Sequence, residues 1–141
     1  MNKPLILVVE DDNSVKNLIT TTLKAHDYRY LTAPNGATAI LEASSHNPDI
    51  VLLDLGLPDI DVVDVIKKIR TWSNMPIIVI SARSEDTDKI DALDAGADDY
   101  LTKPYATLSR AAPLHQQWNS IVYGLRVLRC LKEYLLQRKR L

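Results

Sequence analysis

Four short stretches of the chain end apolar or mixed runs on side chains that can do chemistry. In "LILVVEDDNS" five apolar residues, Leu5 to Val9, give way at once to Glu10, Asp11 and Asp12. "DIVLLDLGLPD" closes its apolar run on Asp54, "PIIVISAR" on Ser81, and "DDYLTKPY" places Lys103 before Pro104. Two carboxylates about 4 Å apart repel by roughly 4 kcal/mol at an effective dielectric of about 20. Acids grouped without a neighbouring Arg therefore point to a hard divalent cation that offsets the repulsion. Mg²⁺ takes an octahedron of oxygens, commonly one or two carboxylates plus waters. Asp11 and Asp54 suit direct ligation, the backbone carbonyl of Gly56 would add a third oxygen, and Glu10 is long enough to hold a metal-bound water.

Asp54 follows a wholly apolar run, so its placement is expected to be rigid. A carboxylate in that position can act as a nucleophile and form an aspartyl phosphate. Catalysis of phosphoryl transfer is mainly positioning and charge neutralisation. The cation would take one phosphoryl oxygen, the Lys103 ammonium a second, and the Ser81 hydroxyl with a nearby backbone N–H a third.

The elements that must position these groups are legible in the periodicity. Leu5–Val9, Tyr28–Thr32, Ile50–Leu53, Ile77–Ile80 and Asp98–Leu101 read as strands, two or three of them apolar enough for burial on both faces. Helical spacing occurs near 14–26, 36–45, 62–71 and 86–95; Asn13 or Ser14 would cap the first, and Gly96 would stop the fourth. Regular strand–helix alternation predicts an α/β fold, a parallel sheet with helices on both faces. In such sheets ligands gather outside the carboxyl ends of the strands. Glu10, Asp11, Asp54, Ser81 and Lys103 all fall on that edge.

The bulk numbers agree with one soluble domain. The chain has 141 residues, 46% hydrophobic and 25% charged, with no apolar run long enough for a membrane span and no signal-peptide pattern. A single cysteine, Cys130, excludes an internal disulfide and fits a reducing, cytoplasmic setting. The net charge of −1 hides an asymmetry: residues 1–105 carry 10 basic and 17 acidic side chains, residues 106–141 carry 7 and one. The body is acidic and the tail is basic.

Together, "VVEDD", "LLDLGLPD", "VISAR" and "YLTKP" resemble the receiver domain of bacterial two-component response regulators, over about residues 3–105. The likeness is to the OmpR/PhoB group, and "ISARSEDTDKIDALDAGADDYLTKP" looks most like its regulators of potassium-uptake genes. The resemblance implies a flavodoxin/CheY-like doubly wound sheet of order 2-1-3-4-5. It implies Asp54 as phosphoacceptor from a sensor histidine kinase, with Mg²⁺ in a pocket formed by Glu10 and Asp11. Ser81 and Lys103 would be the switch hydroxyl and the phosphate-sensing lysine, and Tyr100 the aromatic that turns inward on activation. It also implies a cis Lys103–Pro104 bond and a dimer face around the fourth helix and fifth strand. Singly, each residue has a plainer reading: solvated acids, a surface lysine, a backbone-bonded serine, a packed tyrosine. Their joint placement on one edge favours the site.

Two other classes share parts of this pattern. A Mg²⁺-dependent phosphatase of the haloacid dehalogenase type places a second acid two residues after its nucleophile, where this chain has Gly56, so turnover of an external substrate is not expected. A pseudo-receiver would keep the pocket but act only by binding a partner. Asp12 is expected to begin a helix, and Asp59, Asp61 and Asp64 to form a solvated helix start. His26, His46 and His115 suggest no metal site, and Cys130 fits packing.

The pattern departs from the family in two places. "DIDVVD" sets Ile60 and Val62 where glycines are usual, and a β-branched residue at positive φ would cost about 1–2 kcal/mol. From Tyr105 onward the text no longer resembles the family's fifth helix or its winged-helix DNA-binding domain, so residues 106–141 form an atypical basic, partly helical tail. No sequence-specific DNA binding and no membrane contact is expected of it. Pro113 should interrupt a helix begun at Thr107. Beyond it Trp118, Ile121, Val122, Leu125, Leu128 and Leu135 form a stripe, with Arg126, Arg129, Lys132 and Arg138 mostly elsewhere and Gly124 as a weak point. The tail could replace the fifth helix, pack against a second chain as a homodimer, or be the out-of-frame product of a disrupted gene.

Overall fold

The computed structural model describes residues 3–81, 86–102 and 113–139, the side chains of 86, 87, 113–121, 138 and 139 excepted. Five strands, β1 (Leu5–Val9), β2 (Arg29–Ala33), β3 (Ile50–Asp54), β4 (Ile77–Ser81) and β5 (Asp99–Thr102), form one sheet of order β2-β1-β3-β4-β5. All four pairings are parallel. Between and after them lie α1 (Asn13–Ala25), α2 (Gly36–His46), α3 (Val62–Arg70), α4 (Asp86–Ala95) and α5 (Pro113–Lys139). The central β3 and β4 are buried at every position, as their unbroken apolar runs require, whereas the edge strands β2 and β5 are partly exposed.

Two apolar clusters sandwich the sheet. On one face α2, α3 and α4 bury Ala39, Ala43, Val65, Ile66, Ile69 and Ala92 against Leu7, Val51, Leu53 and Val79. On the other, α1 and α5 bury Val15, Ile19, Leu23, Tyr123, Val127 and Leu131 against Ile6, Val8, Leu52 and Ile80. Strand alternation accounts for the division, because successive side chains point to opposite faces.

Local signals set the element ends. The Asp12 carboxylate, not Asn13 or Ser14, caps α1, accepting from Ser14 N at 2.8 Å and Val15 N at 3.4 Å. Tyr28 is drawn out of β2 by its backbone bond to Leu23 O, at 3.0 Å, which closes the α1 turn. At the end of α4, Gly96 N bonds Leu93 O and Ala97 N bonds Ala92 O, and Gly96 has φ +124°. A side chain there would be strained by that φ and would also meet Arg70 Cγ and Nε at 3.1 Å. Arg70 needs the space: its guanidinium donates to Gly96 O, Ser73 O and Met75 O and pairs with Asp98 at 3.0 Å.

The strain expected at Ile60 and Val62 is not incurred. Among described non-glycine residues only Asp27 and Asn47 have positive φ. Val62 is the first residue of α3, capped by the Asp61 carboxylate, and lies buried in the α2–α4 cluster, where Ile60 packs beside it.

The tail helix also differs from its expected stripe. α5 starts at Pro113, whose missing N–H is harmless at a first helical position. Its 27 residues correspond to about 40 Å of helix. Among the described side chains the buried apolar ones are Tyr123, Val127, Leu128, Cys130 and Leu131, while Val122 and Leu125 are exposed. Of the expected stripe, Leu128 is buried and Leu135 packs against the α1 side of the sheet, while the side chains of Trp118, Ile121 and Arg138 lie outside those described. What turns the helix to this face is a close crossing of α1: a Cβ on Gly124 would sit 2.8 Å from Thr22 Oγ1 and 3.3 Å from its Cγ2. The glycine that weakens α5 as an isolated helix lets it approach α1 as a packed one.

Candidate functional site

β1 and β3 end side by side, with Val9 opposite Leu53 in the register, so Glu10 and Asp54 emerge as neighbours at the carboxyl edge of the sheet. Glu10 is fully buried, Asp54 is 1% exposed and Asp11 lies exposed above them. One carboxylate oxygen from each of the three can be chosen so that all lie within 4.8 Å of one another. Glu10 Oε2 accepts from Asp11 N at 3.0 Å and Asp12 N at 3.4 Å, which folds the glutamate back under the loop. Asp54 Oδ1 accepts from Gly56 N at 3.1 Å. A Cβ on Gly56 would lie 3.8 Å from both Asp54 carboxylate oxygens, so the loop backbone passes close over the acid.

Ser81 ends β4, is fully buried, and its hydroxyl has no hydrogen-bond partner among the described residues. A buried hydroxyl without a partner costs about 1–3 kcal/mol, an arrangement suited to a group that is satisfied only by ligand. Tyr100, on β5, is 45% exposed and its ring lies under Lys89 Nζ, 4.9 Å from the centroid. Lys103, the Lys103–Pro104 bond, and His115's side chain lie outside the described residues. Thus Glu10, Asp11, Asp54 and Gly56 are brought together, Ser81 ends the next strand, and Tyr100 faces outward on the edge strand.

The acids downstream of Asp54 divide their work in a way the sequence did not disclose. Asp59 reaches across to the start of α2, its two oxygens accepting from Gly36 N at 2.8 Å and Ala37 N at 3.0 Å. Those bonds, the Gly36 N–H first, hold its carboxyl below the usual range. Asp61 caps α3 and Asp64 sits in its first turn, as a helix N-terminus favours. Cys130 is buried and its thiol is pushed up to about 12, chiefly by burial and further by Asp99 and Glu133, so it packs as a thiol rather than reacting as a thiolate. No helix among the described residues is long and apolar enough to cross a membrane.

The donor set of the pocket is oxygen only and anionic, which fits a hard cation of the Mg²⁺ kind. A doubly wound parallel sheet with an acidic cluster and a buried hydroxyl on its carboxyl edge defines a class, and the sequence family agrees: the response regulator receiver domain model matches residues 6–110, and the chain belongs to that family. Among characterised relatives it is 48% identical over 100 residues to the KDP operon transcriptional regulatory protein KdpE of Escherichia coli K12, covering 71% of this chain and 44% of that protein. It is 46% identical over 101 residues to Mycobacterium tuberculosis KdpE, covering 72% and 45%, and 40% identical over 107 residues to the alkaline phosphatase synthesis regulator PhoP of Bacillus subtilis, covering 75% and 44%. The chain therefore spans under half the length of these relatives. A CheY-like receiver domain from Methanospirillum hungatei superposes with a TM-score of 0.80 at 19% identity, covering 99% of this chain and 98% of that one, which speaks for the fold alone.

Proposed function

We propose that this chain is a phosphoacceptor receiver of a KdpE-like signalling lineage, taking a phosphoryl group from a sensor histidine kinase onto Asp54 in the cytoplasm. The observation that carries the reading is the convergence of Glu10, Asp11 and Asp54 at the sheet edge that also ends in the buried Ser81 hydroxyl. Asp54, rigid at the end of β3, attacks phosphorus; a P–O bond forms as the P–N bond to the kinase histidine breaks and the imidazole leaves. Asp11, Asp54 and the Gly56 carbonyl would hold Mg²⁺, with Glu10 behind them. When bound, the cation neutralises charge on the transferred group. Ser81 donates its hydroxyl to a phosphoryl oxygen, and Lys103, immediately after β5, supplies an ammonium to another. Tyr100 then turns inward as Ser81 engages the phosphoryl group, leaving Lys89 and changing the α4–β5 surface. That surface, where Ile90 is 58% exposed, is the proposed contact with a second copy, α5 offering an alternative. External turnover and recognition of promoter sequence are not assigned to this chain.

Phosphotransfer from a radiolabelled sensor histidine kinase tests the reading. Label should pass to the wild-type chain in Mg²⁺, and not in EDTA or to Asp54→Asn. A folded wild-type chain that takes no label would leave a receiver-shaped binding module.

A further inference from the structure

Tyr123 belongs to the tail that departs from the family, yet it reaches the sheet beneath the acidic pocket. It is 5% exposed, and its hydroxyl has no hydrogen-bond partner among the described residues. Buried phenols ordinarily find a partner, since an undonated O–H in apolar surroundings forfeits its hydration. The ring itself packs in the cluster that holds Val8, Leu52 and Ile80. Strand alternation puts Glu10 on the same side of the sheet as Ile6 and Val8, and Asp54 on the same side as Ile50 and Leu52. The phenol and both carboxylates therefore share the side that α5 covers. Burial first, then the charges of Glu10 and Asp54, raise the phenol's pKa, with Arg126 opposing, so the group stays protonated. A protonated phenol has one hydrogen to give, and an ionised carboxylate can only accept.

We infer that Tyr123 is a positioning residue of the acidic pocket, its O–H donating across one water to the Glu10 carboxylate and fixing that carboxylate toward the cation. The inference rests on the proposed function above, because it presumes that the pocket takes Mg²⁺. It makes α5 a contributor to the site as well as a cover for the sheet. The state of the pocket is then felt by α5 through a single hydroxyl.

The test is a calorimetric Mg²⁺ titration of the full chain, of Tyr123→Phe and of Val127→Ala, each first shown to be folded by circular dichroism. Val127 is fully buried on the same helix face and serves as a packing control. Tyr123→Phe should weaken Mg²⁺ binding about 3- to 10-fold, the scale of one ordinary hydrogen bond, while Val127→Ala stays within about twofold. In chain labelled with ¹³C at the tyrosine ζ carbon, the resonance missing from Tyr123→Phe should move along the Mg²⁺ titration. Unchanged affinity in Tyr123→Phe, or an equal loss in Val127→Ala, overturns the inference while leaving the proposed function standing. A wild-type chain that binds no Mg²⁺ overturns both.

Discussion

The two faces of the sheet are covered by helices of different kinds. On one, α2, α3 and α4 are short, 9 to 11 residues each, and their ends are tied down by Asp59, Asp61 and Arg70. On the other, α1 is joined by the 27-residue α5, which is fixed by Gly124 against Thr22 and by the Tyr134 hydroxyl, shared between Asp98 O at 3.1 Å and Asp99 Oδ2 at 3.2 Å. The family match, residues 6–110, takes in all the helices of the first face but leaves α5 of the second outside it, yet both faces bury fully enclosed side chains. Covering a sheet needs apolar side chains at helical spacing and a place where two backbones can approach. It does not need a particular sequence.

If the faces are equivalent in energy, matched truncations should cost alike. Leu131→Ala in α5 and Ile66→Ala in α3 each remove a fully buried side chain and should each destabilise by about 2–5 kcal/mol in urea unfolding. A cost near zero for Leu131→Ala alone would mean that α5 does not hold the second face. The helix crossing gives a finer test with a change of sign. Gly124→Ala should destabilise by about 1–2 kcal/mol, overpacking against Thr22 outweighing the gain in helix propensity. With Thr22→Ala already present, the same substitution should stabilise by up to about 1 kcal/mol. Smaller again is Leu125→Ala, which should stay within about 0.5 kcal/mol because Leu125 is 58% exposed.

The smallest effect separates the faces by pH. Asp59 has a lowered pKa in the folded chain, so its contribution is present above the ordinary carboxylate value of 3.8 and is lost as pH falls through the folded value. Asp59→Asn should therefore be slightly less stable than wild type at neutral pH, with the difference shrinking on acidification. A difference that grows toward low pH would contradict the assignment of Asp59 to the start of α2.

Much of this was legible in the sequence, for reasons that particular residues make plain. Leu5–Val9 is uninterrupted because β1 is buried on both sides, and the strand-end acids were found because parallel strands finish on one edge. The start of α4 and its stop at Gly96 also agree with the pattern. The inner face of α5 was not legible: Val122 and Leu125 are as apolar as Val127 and Leu131, and a helix with apolar residues on two sides gives no single stripe. Gly124 was the discriminating signal, but its meaning depends on Thr22, about a hundred residues earlier in the chain. Ile60 and Val62 misled because glycine at a family position need not mean positive φ. Asp59 looked like a helix start for α3 because its partners, Gly36 N and Ala37 N, belong to another helix. Tyr123 was missed among the apolar residues, although it stands four residues before Val127 and eight before Leu131.

The chemistry of the pocket can be separated from recognition of any kinase by giving the full chain acetyl phosphate and weighing it intact, in Mg²⁺ and in EDTA, beside Asp54→Asn. The account predicts one added phosphoryl group on the wild-type chain in Mg²⁺, and none in EDTA or on Asp54→Asn. A folded wild-type chain that gains nothing in Mg²⁺, or an Asp54→Asn chain that gains as much, would contradict it.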